Sequence, residues 1–310
     1  MRAGPRGLGL TRGDPHAHLC EMLRRCALAM LLSACGTVAP PPLTSDAGRD
    51  DVPVADVPVN DVPAPDVVTR TGPCEDPITA LTGAEGYPSF YRQMLSAEGI
   101  PVLASGRTSE VALRAACRIT RAMTSHRADV RDEMIARGAR VAVMARDERT
   151  LDIPEHADLQ REYPDTDWNA RARGLGGTVS RPATSCAEEN LRCDLIDRYR
   201  GENILVHELA HGIFNLGVVF AIPDFSDRLE RAFTAARTAG RWSNTYAATN
   251  TDEYFAEGAQ SFFDTNQRAD PPNGIHNAVS TREALRAYDP ALFALLEEVF
   301  PGAPWTPVCP

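Results

Sequence analysis

The sequence predicts an α+β fold in which helices outnumber strands and the sheet is small. Three observations carry that expectation. Apolar positions recur mostly at helical spacing, in runs bounded by capping residues and glycines. Only one stretch, 140–145, reads as a buried strand. Residues 73–310 hold no low-complexity break, so they read as one domain.

The elements follow in order. Residues 110–126 place Leu113, Cys117 and Met123 at apolar positions of an amphipathic helix. A second helix is expected over 129–137, stopped by Gly138, and Arg140-Val141-Ala142-Val143-Met144-Ala145 reads as a buried strand. Residues 146–201 are mostly irregular. Within them, Arg173-Gly174-Leu175-Gly176-Gly177-Thr178 lacks a phosphate-loop lysine and a following apolar helix, so it reads as turns or an edge strand. A strong helix is expected over 202–215, ending near Gly217. Another covers 227–239 with Gly240 at its stop, and another 252–263, introduced by Thr249-Asn250-Thr251. Helices over 281–287 and 290–300 close the chain.

The N-terminal residues read as an export signal. Arg24 and Arg25 precede the apolar run 26–32, and Leu32-Ser33-Ala34-Cys35 has the form of a bacterial lipobox. The run is too short to span a bilayer as a helix. Cleavage there would leave a lipid on Cys35, anchoring an exported protein to the bacterial envelope, with Met22 as an alternative start. Residues 36–72 are rich in proline and acid, with Asp51, Asp56, Asp61 and Asp66 recurring every five residues. Such sequence buries no core and favours extended polyproline II, a tether that reaches on the order of 110 Å at its longest.

Cysteine usage fits an oxidising compartment. Cys186 and Cys193 lie close in a loop-like stretch and are expected to form a disulfide. Cys74 and Cys309, at the two ends of the folded region, are candidates to join them. Cys117, among Val111, Leu113, Ala116 and Ile119, reads as a buried free thiol. Formal net charge is -10, which repels phosphate backbones, so nucleic acid is not an expected partner. Nothing in the sequence fixes the oligomeric state.

The chemistry is concentrated in His207-Glu208-Leu209-Ala210-His211. Two histidines four apart on a helix lie on one face, where both imidazoles reach one ion. Glu208 sits beside them, placed to take a proton from a water that a zinc ion acidifies to a pKa of about 7. Ile204, Leu205, Val206, Leu209, Ile213 and Phe214 would bury the rest of that helix. A catalytic zinc needs a third protein ligand. The candidates are Glu253 and Glu257, one turn apart on a later helix. One can bind the ion while the other accepts a hydrogen bond from a ligand imidazole. The spacing alone does not say which does which. Tyr87, Tyr91 and His276 are further polar residues that read as structural.

These two motifs resemble those of the gluzincin zinc peptidases, in particular the anthrax-lethal-factor-like catalytic domains, over roughly residues 200–265. The second motif here is Glu253-Tyr254-Phe255-Ala256-Glu257, 42 residues beyond His211. The resemblance implies a zincin-like domain whose zinc is held by His207, His211 and Glu253, with Glu257 outside the ligand set. It further implies Glu208 as general base. Tyr246, seven residues before Glu253, would be an oxyanion donor. The expected function is zinc-dependent hydrolysis of peptide bonds in a peptide or protein substrate, by a lipid-anchored envelope protein. The alternative is a non-catalytic lipoprotein that keeps zinc while binding an envelope component. A base at Glu208 speaks against it, because a structural zinc needs none.

Overall fold

Strands β1 (Thr79–Ala80), β2 (Gln93–Ala97), β3 (Ile100–Ala104), β4 (Arg140–Met144), β5 (Gly174–Leu175) and β6 (Ala183–Ala187) form one mixed sheet in the order β1-β2-β3-β4-β6-β5. The computed structural model describes residues 73–309; Met22, the lipobox cysteine Cys35 and the repeats of 36–72 lie outside the described residues. Strands β2 and β3 make an antiparallel hairpin, and β3, β4 and β6 run parallel. A parallel pair needs a long crossover. Helices α1 (Glu110–Thr124) and α2 (Ala128–Ala136) supply the one between β3 and β4. The longer helices that follow the sheet are α3 (Ile204–Ile213), α4 (Phe225–Thr238), α5 (Thr251–Phe262), α6 (Arg282–Tyr288) and α7 (Pro290–Val299). The class is α+β with helices in the majority, as expected.

Side chains alternate across a strand, and the sheet divides its residues accordingly. Val102, Ala104, Val141, Val143 and Cys186 face the main core with α1, α3 and α5. Leu103, Ala142, Met144 and Ala187 face a smaller core with Tyr91 and Ile153, against which Tyr87 packs. Tyr91 donates to Glu155 Oε2 at 2.5 Å on that far face.

Three expectations need correction. Strand β6 falls inside the stretch read as irregular; it is a strand because β4 pairs with it along its whole length. Gly217 does not stop its helix. The backbone continues through a wider turn at Phe214–Val218 into Val219–Ala221. A Cβ at Gly217 would lie 2.6 Å from Val130 Cγ1 and 2.8 Å from Val130 O, so this glycine admits α2 at close range. The apolar stretch Ile204–Ala221 is long enough to cross a membrane, but 72% of it is buried inside the protein.

The third correction is the disulfide pattern. Cys186 and Cys193 do not pair; the bonds are Cys74–Cys117 and Cys193–Cys309. Cys186 is fully buried in β6, beneath the helices, and is free. Burial pushes its thiol well above the usual range. Cys193 is exposed, at φ 55°, just after the single-turn helix Glu188–Leu191. Cys74 docks onto the buried face of α1, so the apolar setting of Cys117 marks a buried disulfide rather than a free thiol.

Candidate metal centre

Two capped helices position the site. Asn203 Oδ1 accepts from Val206 N at the start of α3, and Asn250 Oδ1 accepts from Glu253 N at the start of α5. Such caps satisfy amide donors that the first turn leaves free. The second fixes Glu253 in the first turn of α5, facing the one-turn pair His207 and His211 on α3.

The sequence-singled residues converge. His207 Nε2 lies 3.1 Å from Glu253 Oε2 and 3.1 Å from His211 Nε2, and His211 Nε2 lies 3.4 Å from Glu253 Oε2. All three residues are buried. Tyr246 lies alongside, its ring 6.3 Å from that of His207 and 25° from parallel. Burial raises its phenol pKa, and Glu253, to which it is hydrogen-bonded, raises it further.

Glu208 follows His207 on α3, under the glycine strand. Burial raises its carboxyl pKa against the lowering charges of His207 and His211 and a hydrogen bond from the Gly176 backbone. Strand β5 and the residue after it can lie this close only because Gly174 and Gly176 carry no side chain. A Cβ at Gly174 would come within 2.7 Å of Ile204 Cγ2 and 3.1 Å of Glu208 Cγ. At Gly176 it would come within 2.5 Å of His211 Cβ. The glycine run is therefore an edge strand, one of the two forms expected of it, and it roofs the ligand helix.

Two residues near the ligands were missed by sequence reasoning. Gln260 Oε1 lies 2.9 Å from His207 Nδ1, whereas Glu257 Oε1 lies 3.6 Å away. Gln260 sits seven residues after Glu253, on the same helix face as Glu253 and Glu257, and that periodicity could have found it. Glu257 instead accepts from Asn266 Nδ2 at 3.0 Å, and burial pushes its carboxyl up to about 7. Tyr199 is the other: buried enough to raise its phenol, it also feels the charge of Glu208. No local pattern marks it. His276 is buried behind the centre, 3.8 Å from Glu202 and 4.0 Å from Glu257, in keeping with a structural role.

The three donor atoms can hold a metal ion. Bonds of about 2.0–2.1 Å in tetrahedral geometry place ligand atoms about 3.4 Å apart, close to the spacing observed. The hydrogen bonds around the site point the same way. Gln260 Nε2 lies 3.3 Å from Glu202 Oε2 and 3.3 Å from Asn203 O. A backbone carbonyl only accepts, so the Gln260 amide nitrogen faces that side and its oxygen faces His207. His207 Nδ1 is then the donor, and its Nε2 lone pair points at a carboxylate oxygen and a second imidazole. Such an arrangement repels itself unless a metal ion, or a proton carried by one of the two imidazoles, lies between the atoms. Without a metal it is the proton: burial lowers the His207 pKa, but the hydrogen bond and charge of Glu253 outweigh it and raise it.

In comparisons with protein-family models, curated proteins and solved structures, nothing matches this chain.

Proposed function

We propose that the chain is a zinc-dependent peptidase of the gluzincin type, with a zincin-like domain similar to that of anthrax lethal factor. It is carried as a lipoprotein on the bacterial envelope through Cys35. One observation carries the reading. A half-buried carboxylate with a raised pKa, Glu208, stands on the ligand helix outside the set His207, His211 and Glu253. Holding an ion needs no such group; hydrolysis does. Two imidazoles and one carboxylate are a known donor set for catalytic zinc. Zinc bound there would polarise a substrate carbonyl and acidify a water.

The chain's own residues do the rest. Glu208 takes a proton from the attacking water and passes it to the leaving nitrogen, and burial suits it by raising its proton affinity. The Tyr246 hydroxyl turns from Glu253 to the oxyanion as charge develops. Strand β5, at the sheet edge, offers backbone groups along which an extended peptide aligns.

The test is Glu208→Gln, which keeps shape and polarity but removes the base. It should keep about one zinc per chain and lose turnover of a peptide library by at least on the order of 10²-fold. Tyr246→Phe should also keep zinc and lose turnover. Undiminished turnover in Glu208→Gln would remove the peptidase reading, and zinc without any turnover in the wild type would favour a binding lipoprotein. Cys35→Ser should release the processed protein from the membrane fraction.

A further inference from the structure

The outer partner of ligand His207 is not the carboxylate that the motif suggests. Gln260 is fully buried, and its amide is held at both ends. Its nitrogen donates to Glu202 Oε2 at 3.3 Å and to Asn203 O at 3.3 Å, and its oxygen accepts from His207 Nδ1 at 2.9 Å. We infer that Gln260 is the positioning residue for His207, and that Glu202 acts through it by fixing which way the amide points. The inference rests on the metal-centre reading above.

A free glutamine amide presents either its oxygen or its NH₂ group to a histidine. Presented with NH₂, His207 Nδ1 would have to accept, its proton would move to Nε2, and no lone pair would face the ion. Glu202 and Asn203 forbid that orientation, because turning the amide would set its oxygen against a carboxylate and a carbonyl. Outer partners of this kind fix the tautomer and ring plane of a metal-bound histidine, and losing one typically costs 10- to 100-fold in metal affinity. Glu202 and Asn203 directly precede α3, while Gln260 belongs to α5. The same amide thus ties the start of the histidine helix to the glutamate helix, and ring orientation is set jointly with helix spacing.

Substitution at position 260 separates this role from packing. Gln260→Met keeps length and removes both polar groups; zinc affinity, measured by chelator competition on the whole mature protein, should fall about 10- to 100-fold. Gln260→Glu keeps an oxygen toward His207 Nδ1 but sets a second oxygen against Glu202. Combined with Glu202→Gln, the repulsion at position 202 is replaced by a hydrogen bond while the Asn203 carbonyl still faces an oxygen, so affinity should recover in part, above that of Gln260→Glu alone. A packing role predicts the reverse order, with methionine tolerated and glutamate harmful. Thermal unfolding of the zinc-free proteins checks that each variant is folded. Wild-type affinity in Gln260→Met, or no recovery in the paired exchange, overturns the inference while leaving the metal centre standing. A wild type that takes up no zinc overturns both.

Discussion

Among the described residues, two neighbourhoods of buried histidines are electrically opposite. On the far face of the sheet, His156 is 1% exposed and shares a single bond, Nε2 to Ser185 Oγ at 3.0 Å. Its Nδ1 has no hydrogen-bond partner. Burial drives its pKa down to about 4, so it is neutral. In the metal centre, His207 and His211 are 8% and 4% exposed. Burial lowers their pKa values too, but Glu253 beside both and Glu208 on the same helix outweigh it and raise them. Burial alone therefore makes a neutral core histidine; carboxylates around it make a place where positive charge must reside. Strand β5 separates the two, with Leu175 N donating to Ser185 Oγ and Gly176 lying over His211.

The largest expected effect lies in metal content. His211→Ala or Glu253→Ala should abolish stoichiometric zinc, while His156→Ala should leave it near one per chain, as read by elemental analysis. Zinc retained at full occupancy by both centre variants would erase the distinction between the two neighbourhoods.

Next comes the response to pH. The folded-state pKa of His156, about 4, lies below the ordinary 6.5. The unfolded chain then binds a proton that the fold refuses. Stability is complete above pH 6.5 and is lost as pH falls toward 4, by up to about 3 kcal/mol. The zinc-free centre should slope the other way: its raised histidine pKa values stabilise below 6.5, and that contribution disappears as pH rises. Denaturant unfolding of His156→Gln against wild type should show a reduced acid slope, the remainder belonging to His276, whose pKa burial also lowers to about 4. An unchanged slope would mean that His156 is protonated in the fold.

A smaller effect is expected where β5 touches the centre. Gly176→Ala should destabilise by about 1–3 kcal/mol through overpacking and weaken zinc binding, since the added carbon lands 2.5 Å from His211 Cβ. Gly302→Ala, with nothing within 4 Å, is the control and should be near neutral. Equal melting temperatures for the two would show that the strand moves away freely. The smallest effect belongs to Ser185→Ala, which removes the bonds to His156 and Leu175. It should cost about 1 kcal/mol and leave zinc affinity within a fewfold of wild type.

How much of this was legible in the sequence depends on whether the signal is local. Helix expectations at 110–126, 129–137, 252–263 and 290–300 agree with Glu110–Thr124, Ala128–Ala136, Thr251–Phe262 and Pro290–Val299 to within two residues, because spacing, caps and stops are read within one segment. The strand expected at 140–145 is β4. Strand β6 was missed because Ala183-Thr184-Ser185-Cys186-Ala187 carries little strand propensity of its own; its pairing with β4 decides its state. Strand β3 contains Pro101, which argues against a strand wherever its place at the hairpin is unknown. The three residues that could hold a metal were legible because His207 and His211 lie one turn apart on one helix, while the choice of Glu253 over Glu257 came from the resemblance and not from spacing. Gln260 and Tyr199 were not, since an amide and a phenol acquire meaning only from what the fold sets beside them. The disulfides join residues 43 and 116 positions apart, beyond any local count.

The bond between Cys193 and Cys309 closes the chain into a covalent ring. His207, Glu208, His211, Tyr246, Glu253, Glu257 and Gln260 all lie within that ring. If the chain is the peptidase proposed above, it meets other copies of itself, and the exposed turn at residues 270–274, inside the ring, is an accessible place to be cut. A single cut there opens the ring without dividing the molecule. The nicked protein should migrate as one chain on a denaturing gel and as two after reduction. Under that reading one crosslink would convert self-digestion, which would otherwise shed the glutamate helix's C-terminal support, into a scar.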